Sequence, residues 1–290
     1  MRNLDLDALQ IFKTVADQGG VARAAAHLNR VQSNVSTRLK QLETSLGTPL
    51  FRRQNRRLVL SDPGRVLLSY ADRLLRLSDE AQSAVRDGAL QGVLRIGTME
   101  STAAARLPPI LAAYHEAWPK VRIELVTGTS GALAAKVRNY EIEAAFVAQP
   151  FPADGLTAMD AFKEELALIS PLAWAPIGSA KDLVNRSIIA FAAGCSYRRI
   201  LESWLNQEGI APHKVMEFAS YHAIVACVAA GTGVAIVPRS VLAVLGAAHS
   251  VRVGALSGPH AQALTQLVWR ADDDTPALQA LRSQLQAPQV

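Results

Sequence analysis

Apolar residues recur at helical spacing between residues 33 and 46, and this segment constrains the fold more than any other. They follow one another in steps of four, three and four, which places them on one face of a helix. Ser33 is a residue type suited to cap the start of such a helix. The pattern predicts one buried stripe and an opposite polar face. The stripe consists of Val35, Leu39, Leu42 and Leu46.

Two further helices and a basic hairpin are predicted around this segment. Residues 5–18 read as a first amphipathic helix, and residues 21–28 as an alanine-rich second one that ends at Asn29 and Arg30. After Gly47, apolar residues 50–51 and 58–60 bracket a run containing four arginines, with a turn near Gln54. Helices followed by a two-stranded basic wing indicate an N-terminal all-α winged helix-turn-helix.

The distribution of charge favours a nucleic-acid partner for this segment. Residues 1–88 contain 14 Lys and Arg against 9 Asp and Glu, whereas the remainder of the chain is balanced, 16 against 16. A local basic excess is the footprint of a polyanion-binding surface. The alternative is a solvated helix face beside a charged loop. The candidate DNA-binding residues are Arg30, Gln32, Ser33, Asn34, Ser36, Thr37, Arg38, Lys40, Arg52, Arg53, Arg56 and Arg57.

A long helix is predicted from the turn at residues 61–64 to about residue 87. Its apolar positions alternate steps of four and three, which is the spacing of a coiled-coil seam. Because helix-turn-helix proteins commonly bind two half-sites as dimers, we expect this linker helix to dimerise. The alternative is an amphipathic helix packed on its own domain. The seam positions are Leu67, Ala71, Leu74, Ser78, Ala81 and Val85.

From Val93 onward, apolar strands alternate with amphipathic helices, which predicts an α/β domain with mostly parallel sheets. Residues 103–118 read as one helix kinked at Pro108 and Pro109. Strands are expected at residues 93–99, 121–127, 144–148, 166–170, 188–192, 216–219, 234–237 and 264–270. Further helices are expected at residues 132–140, 197–208, 221–230, 239–245 and 275–285.

Polar residues follow several of these strands at the points where helices begin. Ligands of such sheets bind at the carboxyl ends of strands, and free N–H groups at helix starts favour an anion such as a carboxylate. Taken singly, the hydroxyls also read as helix caps. The candidate effector-binding residues are Glu100, Ser101, Thr102, Thr129, Ser130, Cys195, Ser196, Tyr197, Ser220, Tyr221 and His222.

Composition argues against several classes of protein. The 290 residues are 50% hydrophobic and 19% charged, with neither a signal core nor an 18-residue apolar span, so we expect a cytoplasmic protein without a membrane partner. The chain offers no metal-ligand spacing and no phosphate-binding glycine loop, and no cofactor is expected. Cys195, with a pKa lowered at a helix start, and His222 outline a catalytic pair. They lack a third orienting group, which favours a non-enzyme and leaves redox sensing at Cys195 as the alternative function.

The N-terminal third resembles the LysR-type bacterial transcription regulators. The similarity lies in LNRVQSNVS at residues 28–36, QLE at 41–43 and LGTPLFRR at 46–53. Three residues depart from the family pattern, which has proline at Ser33, serine at Gly20 and arginine at Thr37. The departure at Thr37 leaves Arg38 or Asn34 as the alternative base-reading residue.

The LysR resemblance implies a DNA-binding regulator with three segments. These are a DNA-binding domain at residues 1–60, a dimerising linker helix at 61–90, and an effector domain at 91–290. The effector domain would be two-lobed, like a periplasmic binding protein (type 2), with crossings near Phe162 and Gln266. Lobe I would then comprise residues 91–162 and 267–290, and lobe II residues 163–266. The implied partners are promoter DNA, a small effector, further copies as a tetramer of two dimers, and RNA polymerase.

Loop motifs resemble one LysR subgroup, which includes a regulator of putrescine utilisation. They include ESTAA at residues 100–104, CSYRR at 195–199 and SYHA at 220–223. The subgroup implies an effector from polyamine or ω-amino-acid breakdown. Helix starts repel a diamine, but Glu100, Glu164 or Glu165 could hold an ammonium group. A molecule with a carboxylate at one end and an amine at the other fits both observations.

Overall fold

The computed structural model describes residues 4–54, 57–86, 90–256, 258–272 and 274–286 of the chain. Its internal contacts divide the chain between Gly92 and Val93 into two compact units. The first unit contains the predicted helices and wing, and the second contains the α/β part. None of the helices in the described ranges combines the length and apolar character needed to cross a membrane.

Three short helices, a hairpin and one long helix make up the first unit. Leu9, Phe12 and Val35 are fully buried where the short helices meet. The ring of Phe12 lies 5.4 Å from that of Phe51, which ties the helices to the hairpin. The elements are α1 (Leu6–Gln18), α2 (Val21–His27), α3 (Gln32–Leu46), β1 (Phe51–Gln54), β2 (Arg57–Leu60) and α4 (Asp62–Arg86).

Helix α3 differs from its predicted form at both ends. The N-cap is Val31, because its carbonyl accepts hydrogen bonds from the backbone N–H groups of Asn34 and Val35. The prediction that Ser33 caps the helix was therefore wrong. At the other end, Leu46 is 39% exposed, since the chain turns away at Gly47 with φ 72°. The remaining stripe, Val35, Leu39 and Leu42, is buried as predicted.

Helix α4 has two apolar faces, and the start of the predicted seam lies on the one that packs inside the first unit. Leu67 and Ala71 of the predicted seam belong to the core of the first unit, where α1 packs against α4. The adjacent face carries large apolar side chains that are 36–62% exposed. Val85 of the predicted seam has a side chain outside the described residues. The exposed face consists of Val66, Tyr70, Leu74 and Leu77.

The second unit has the predicted succession of strands and helices, with a strand after α10 that sequence reasoning missed. Its first elements are β3 (Gly92–Thr98), α5 (Glu100–Ala105), α6 (Leu107–Ala117), β4 (Val121–Thr127), α7 (Ser130–Arg138), β5 (Ala144–Ala148), β6 (Thr157–Ser170) and β7 (Ser187–Ala190). The later ones are α8 (Ser196–Gln207), β8 (Lys214–Glu217), α9 (Tyr221–Ala229), β9 (Ala235–Pro238), α10 (Arg239–Leu245), β10 (Arg252–Ala255), β11 (Gln262–Trp269) and α11 (Pro276–Gln286).

Strand β6 joins the two halves of this unit. Its first part pairs with β11 as far as Glu165, and from Leu166 onward it pairs with β9 and β10. These pairings are antiparallel, as is that of β11 with β5, whereas β3 with β5 and β7 with β8 are parallel. The sheet is therefore mixed, and the prediction of mostly parallel strands was wrong. The register of β11 on β6 shifts between Thr265 and Gln266, beside the predicted crossing.

The predicted single helix after β3 is two helices. α5 ends at Ala105, and α6 begins at Leu107 with proline in its first turn. Proline has no N–H to donate and is tolerated in a first turn but not in a helix interior. The two prolines thus start a helix rather than kink one. The junction residue between the two helices is Arg106.

Candidate functional site

The outward face of α3 is polar from Gln32 to Lys40. Every predicted base-contacting side chain on this helix is exposed, whereas Val35 and Leu39 between them are buried. The amphipathic spacing thus gives the helix one face for the core and one for a partner. The exposed polar residues are Gln32, Ser33, Asn34, Ser36, Thr37, Arg38 and Lys40.

Arg30, in the turn before α3, has an internal partner. Its guanidinium donates to both carboxylate oxygens of Asp7, at 2.9 and 2.6 Å. The hydrogen bond from Arg30 lowers the pKa of the Asp7 carboxyl. The pair fastens α1 to the turn, so Arg30 has a structural role beside its predicted contact with DNA. Arg38 lies 3.9 Å from Asp5 in a looser pair.

The wing places basic side chains at its surface. Arg52 and Arg53 are both exposed on β1, paired across the hairpin with Val59 and Leu58. Arg56 lies outside the described residues, and of Arg57 the structure describes only the backbone, which pairs with Gln54. Arg52 and Arg53 are therefore the wing arginines whose placement is established.

A small cavity of about 20 Å³ in the second unit is lined by most of the predicted effector residues. Met99, Gly128 and Phe191 also line it, and sequence reasoning missed them. Met99 and Gly128 directly follow β3 and β4, so the strand-end rule could have identified both. The predicted residues in the lining are Glu100, Ser101, Thr129, Ser130, Cys195, Tyr197 and Tyr221.

The other predicted effector residues lie outside this lining. Thr102 is buried, and the Ser196 hydroxyl is bonded to the backbone carbonyls of Ala148 and Pro150, at 2.5 and 3.0 Å. Ser220 is the N-cap of α9, and His222 is exposed. The hydroxyl of Ser196 is thus committed to holding α8 against the end of β5.

Two lining hydroxyls also serve the fold. Ser130 accepts from the N–H of Ala148 at 3.1 Å, and Thr129 accepts from the N–H of Ala132 at 3.4 Å as the cap of α7. Beside them, the N–H of Gly131 donates to the carbonyl of Gly194 at 3.3 Å. A Cβ on Gly194 would lie 3.0 Å from Thr129 Oγ1, and this residue has φ +94°. Glycine therefore permits the two walls of the cavity to approach one another.

Other lining groups have unused hydrogen-bonding capacity. Glu100 Oε2, Ser101 Oγ and Tyr197 OH are buried without a hydrogen-bond partner among the described residues, as is Thr265 Oγ1 nearby. Burial raises the pKa of Tyr197. The nearby Ser101 and Thr265 hydroxyls act to lower this pKa, although neither meets the geometry of a hydrogen bond with Tyr197 OH. A buried polar group without a hydrogen bond destabilises the fold by roughly 1–3 kcal/mol. A ligand that forms hydrogen bonds with several such groups would therefore gain binding affinity.

Glu100 is the carboxylate of this cavity. Its Oε1 accepts from the backbone N–H of Tyr221, at 3.5 Å. Burial raises the pKa of Glu100, while the Tyr221 N–H and the charge of His222 act in the opposite direction. A second cavity, of about 360 Å³, shares Glu100, Thr129 and Phe191 with the first and extends toward β8.

The other two glutamates considered for an ammonium group are occupied. Glu164 is buried and accepts from Arg106 Nε at 2.7 Å and from the Ser240 hydroxyl at 2.7 Å. Glu165 is exposed and pairs with Arg239 at 2.6 Å. Neither lines the cavity, so of the three only Glu100 faces it.

Cys195 lines the cavity as an ordinary thiol. Burial raises its pKa, and this effect exceeds the lowering by the backbone N–H groups of Arg198 and Tyr197 and by the nearby arginines. The expectation that a helix start lowers the pKa of Cys195 was wrong, because burial outweighs it. Nor does the exposed His222 line the cavity with it. Among the described residues, no group of three metal-ligating side chains is assembled.

Two family models together match nearly the whole chain. The family described as "Bacterial regulatory helix-turn-helix protein, lysR family" matches residues 6–65, and "LysR substrate binding domain" matches residues 87–288. The transcriptional regulator GltR of Bacillus subtilis is 37% identical over 96% of this chain and 94% of its own length. The regulator YofA of Bacillus velezensis is 42% identical over 80% of each.

Solved structures match the fold. A full-length variant of OxyR from Pseudomonas aeruginosa has a TM-score of 0.74 at 23% identity, covering 98% of this chain and 95% of its own. The regulator CbnR in complex with its target DNA has a TM-score of 0.70 at 23% identity, covering 97% and 99%. The relatives GltR and YofA are described as transcription regulators rather than enzymes.

Proposed function

The chain belongs to the LysR family of bacterial DNA-binding transcription regulators, and from this premise we propose how its two units divide the work. The first unit binds operator DNA through α3 and the wing. The second binds a small-molecule effector that controls DNA binding or promoter activation. The observation that carries this division is the cavity, because Glu100, Ser101 and Tyr197 have buried polar atoms that lack partners among the described residues.

On the DNA side, α3 reads bases and the wing contacts phosphates. Side-chain amides and hydroxyls on an exposed helix suit base edges in the major groove. Arg52 and Arg53 supply charge at the adjoining surface. The proposed contacts are the twelve residues predicted from the sequence, with Arg30 sharing its guanidinium with Asp7.

On the effector side, the cavity lies where the two proposed lobes meet. With crossings near Phe162 and Gln266, Glu100, Ser101 and Thr129 belong to lobe I, whereas Tyr197 and Tyr221 belong to lobe II. A ligand there contacts both lobes and favours one arrangement of them. Of the classes expected from sequence, this includes carboxylates and ω-amino-acid or polyamine-related metabolites.

Dimerisation is proposed through the exposed apolar face of α4, which runs from Val66 to Leu77. Exposed contiguous apolar residues on a long helix indicate an association surface. Tetramers formed of two dimers and contact with RNA polymerase complete the proposal by analogy with the family.

Base reading is tested with Asn34→Ala. Loss of one good base contact costs about 1–3 kcal/mol and relaxes preference at one position. Selection from randomised sites should therefore give an altered operator sequence, while non-specific affinity changes little. Gln18→Ala, on α1, is the control and should select the parental sequence. Identical selected sequences for Asn34→Ala and the parent would remove Asn34 from the readers.

The effector site is tested with two neighbours on α5. Ser101 has an unpartnered hydroxyl in the described part of the cavity, whereas the buried Thr102 lies outside the lining. In thermal-shift and calorimetric titrations with four-carbon amines, amino acids and carboxylates, Ser101→Ala should lose roughly ten- to a hundred-fold in affinity for the binding compound. Thr102→Val should change stability alone. Equal affinity losses in both variants would contradict the assignment.

A further inference from the structure

Three buried oxygen atoms of the cavity lack hydrogen-bond partners among the described residues: Glu100 Oε2, Ser101 Oγ and Tyr197 OH. All three residues line one space, the cavity; the Ser101 hydroxyl is near enough to lower the pKa of Tyr197 and of Tyr221, and the Glu100 charge acts on Tyr221. An ionised carboxylate oxygen accepts only, and hydroxyl oxygens can accept as well as donate. The space therefore offers three acceptors, one of them charged.

We infer that this space binds a primary ammonium group of the effector, an inference that rests on the proposed role of the cavity as the effector site. An ammonium group presents three N–H donors, no acceptor and one positive charge. It can thus donate to these oxygens and pair with the Glu100 carboxylate. The rings of Phe191 and Tyr221, with centroids 4.8 Å apart, line the same space, and aromatic faces attract cations.

The charged side chains around the cavity favour a cation, whereas the helix starts at its wall favour an anion. The described residues that line these two cavities include the carboxylates of Glu100 and Glu217 but no lysine, arginine or histidine. Glu217 is already paired with Arg198. An anionic group would meet the Glu100 carboxylate without a compensating side-chain charge.

A purely structural role for Glu100 explains fewer of these observations than ammonium binding does. An acidic residue in the first turn of a helix stabilises the helix end, and Glu100 is the first residue of α5. However, its bonded oxygen accepts from Tyr221 at the start of α9, and its other oxygen has no partner among the residues that the structure describes. Helix stabilisation alone leaves that buried oxygen unexplained.

The competing ligand is a carboxylate bound by the protonated form of Glu100. Because burial raises the pKa of Glu100, its acid form is accessible and could donate a hydrogen bond to an anion. The two ligands have opposite pH dependence. Ammonium binding requires the ionised carboxyl and weakens as pH falls through its pKa, whereas carboxylate binding by the acid form strengthens.

The experiment uses the full chain and four matched probes: butane-1,4-diamine, butan-1-amine, 4-aminobutanoate and butanoate. We expect calorimetry to show binding of at least one amine-bearing probe and none of butanoate. Glu100→Gln should lower that affinity roughly tenfold or more. Since burial already disfavours the charged form, this variant should melt no earlier than the parent. Glu165→Gln, which removes an exposed carboxylate outside the cavity, is the matched control and should bind normally.

The pH series takes account of the described titratable groups around Glu100. It is repeated in a His222→Gln background, because the His222 charge acts on Glu100. Tyr197, Tyr221 and Cys195 all have pKa values raised by burial, so they remain neutral in a series from pH 5 to 8. The groups concerned are Tyr221 and His222 on α9, Tyr197 on α8, Cys195 before it and Glu217 on β8.

Each outcome decides between the proposals. Amine binding that is lost in Glu100→Gln supports the ammonium site. Butanoate binding that tightens in Glu100→Gln or at low pH overturns it while leaving the proposed effector function intact. Failure of every amine to bind at millimolar concentration overturns it as well. The proposed function itself fails only if the promoter response in cells is the same for the parent, Ser101→Ala and Glu100→Gln.

Discussion

Arg106 and Glu164 form a two-point ion pair, with Nε and Nη2 of the arginine 2.7 and 3.1 Å from the two carboxylate oxygens. The Ser240 hydroxyl donates to the same carboxylate. Arg106 lies between α5 and α6, Glu164 on β6, and Ser240 on α10. The pair therefore joins the helix that carries Glu100 and Ser101 to the strand that runs through both halves of the unit.

Glu164→Gln should destabilise the second unit measurably. A hydrogen bond to a charged group contributes about 1.5–3 kcal/mol, and the variant leaves Arg106 without its counter-charge. Glu165→Gln, one residue away, breaks an exposed pair with Arg239 that is worth about 0.2–1 kcal/mol. Urea unfolding followed by tryptophan fluorescence is selective, because all four tryptophans lie beyond residue 93. Equal losses in the two variants would contradict a special role for Glu164.

The second prediction concerns the exposed face of α4. Leu77→Glu should weaken dimerisation and leave the fold of the first unit unchanged, because Leu77 is 62% exposed. Gln82→Glu adds the same charge at another exposed position of α4 and should leave association intact. Leu67→Ala should instead lower the stability of the first unit by about 2–5 kcal/mol, since Leu67 lies in its core. Sedimentation equilibrium over a concentration series measures the association.

The α4 result shows what spacing alone could identify. The heptad pattern located the helix correctly, but Leu67 and Val66 begin two neighbouring stripes that a sequence cannot assign to core or surface. The packing of α1 against α4 determines which stripe is buried, and the two helices are distant from each other in the sequence. Similarly, only residues 166–170 of β6 were predicted, because the segment from Thr157 to Glu165 is half-exposed and is a strand through pairing with the distant β11.

The lining of the candidate cavity, like the faces of α4, was predicted only in part from the sequence. Polar residues after strands identified Glu100, Ser101 and Tyr197 correctly as lining residues. The same rule gave Ser196, whose hydroxyl bonds carbonyls contributed by residues 148 and 150. Which of two strand-end hydroxyls remains unbonded depends on those distant carbonyls, so the sequence could not separate Ser101 from Ser196.

The third prediction tests the wing. Each phosphate contact contributes about −0.9 to the slope of log affinity against log salt. Arg52→Ala or Arg53→Ala should therefore flatten the slope by about 1–2 in a dimer and weaken binding to all sequences alike. Lys120→Ala removes the same charge from the second unit and should leave the slope unchanged. An unaltered slope in both wing variants would exclude Arg52 and Arg53 from the interface.

The last prediction concerns Cys195 and the redox alternative. Because burial raises the pKa of Cys195, its thiolate fraction at any pH is smaller in the folded chain than in the unfolded chain. Thiolate is the reactive form, so alkylation by iodoacetamide should be slower when folded and accelerate as pH rises. The contribution of the Cys195 thiol to the free energy of unfolding is fully present below the ordinary thiol pKa. It declines as pH rises through the higher pKa that the thiol has in the folded chain. Mass spectrometry on a Cys227→Ala background, with and without urea, measures the rates at Cys195 alone. Faster labelling of the folded chain at neutral pH would instead reveal an activated thiol and restore redox sensing as a candidate function.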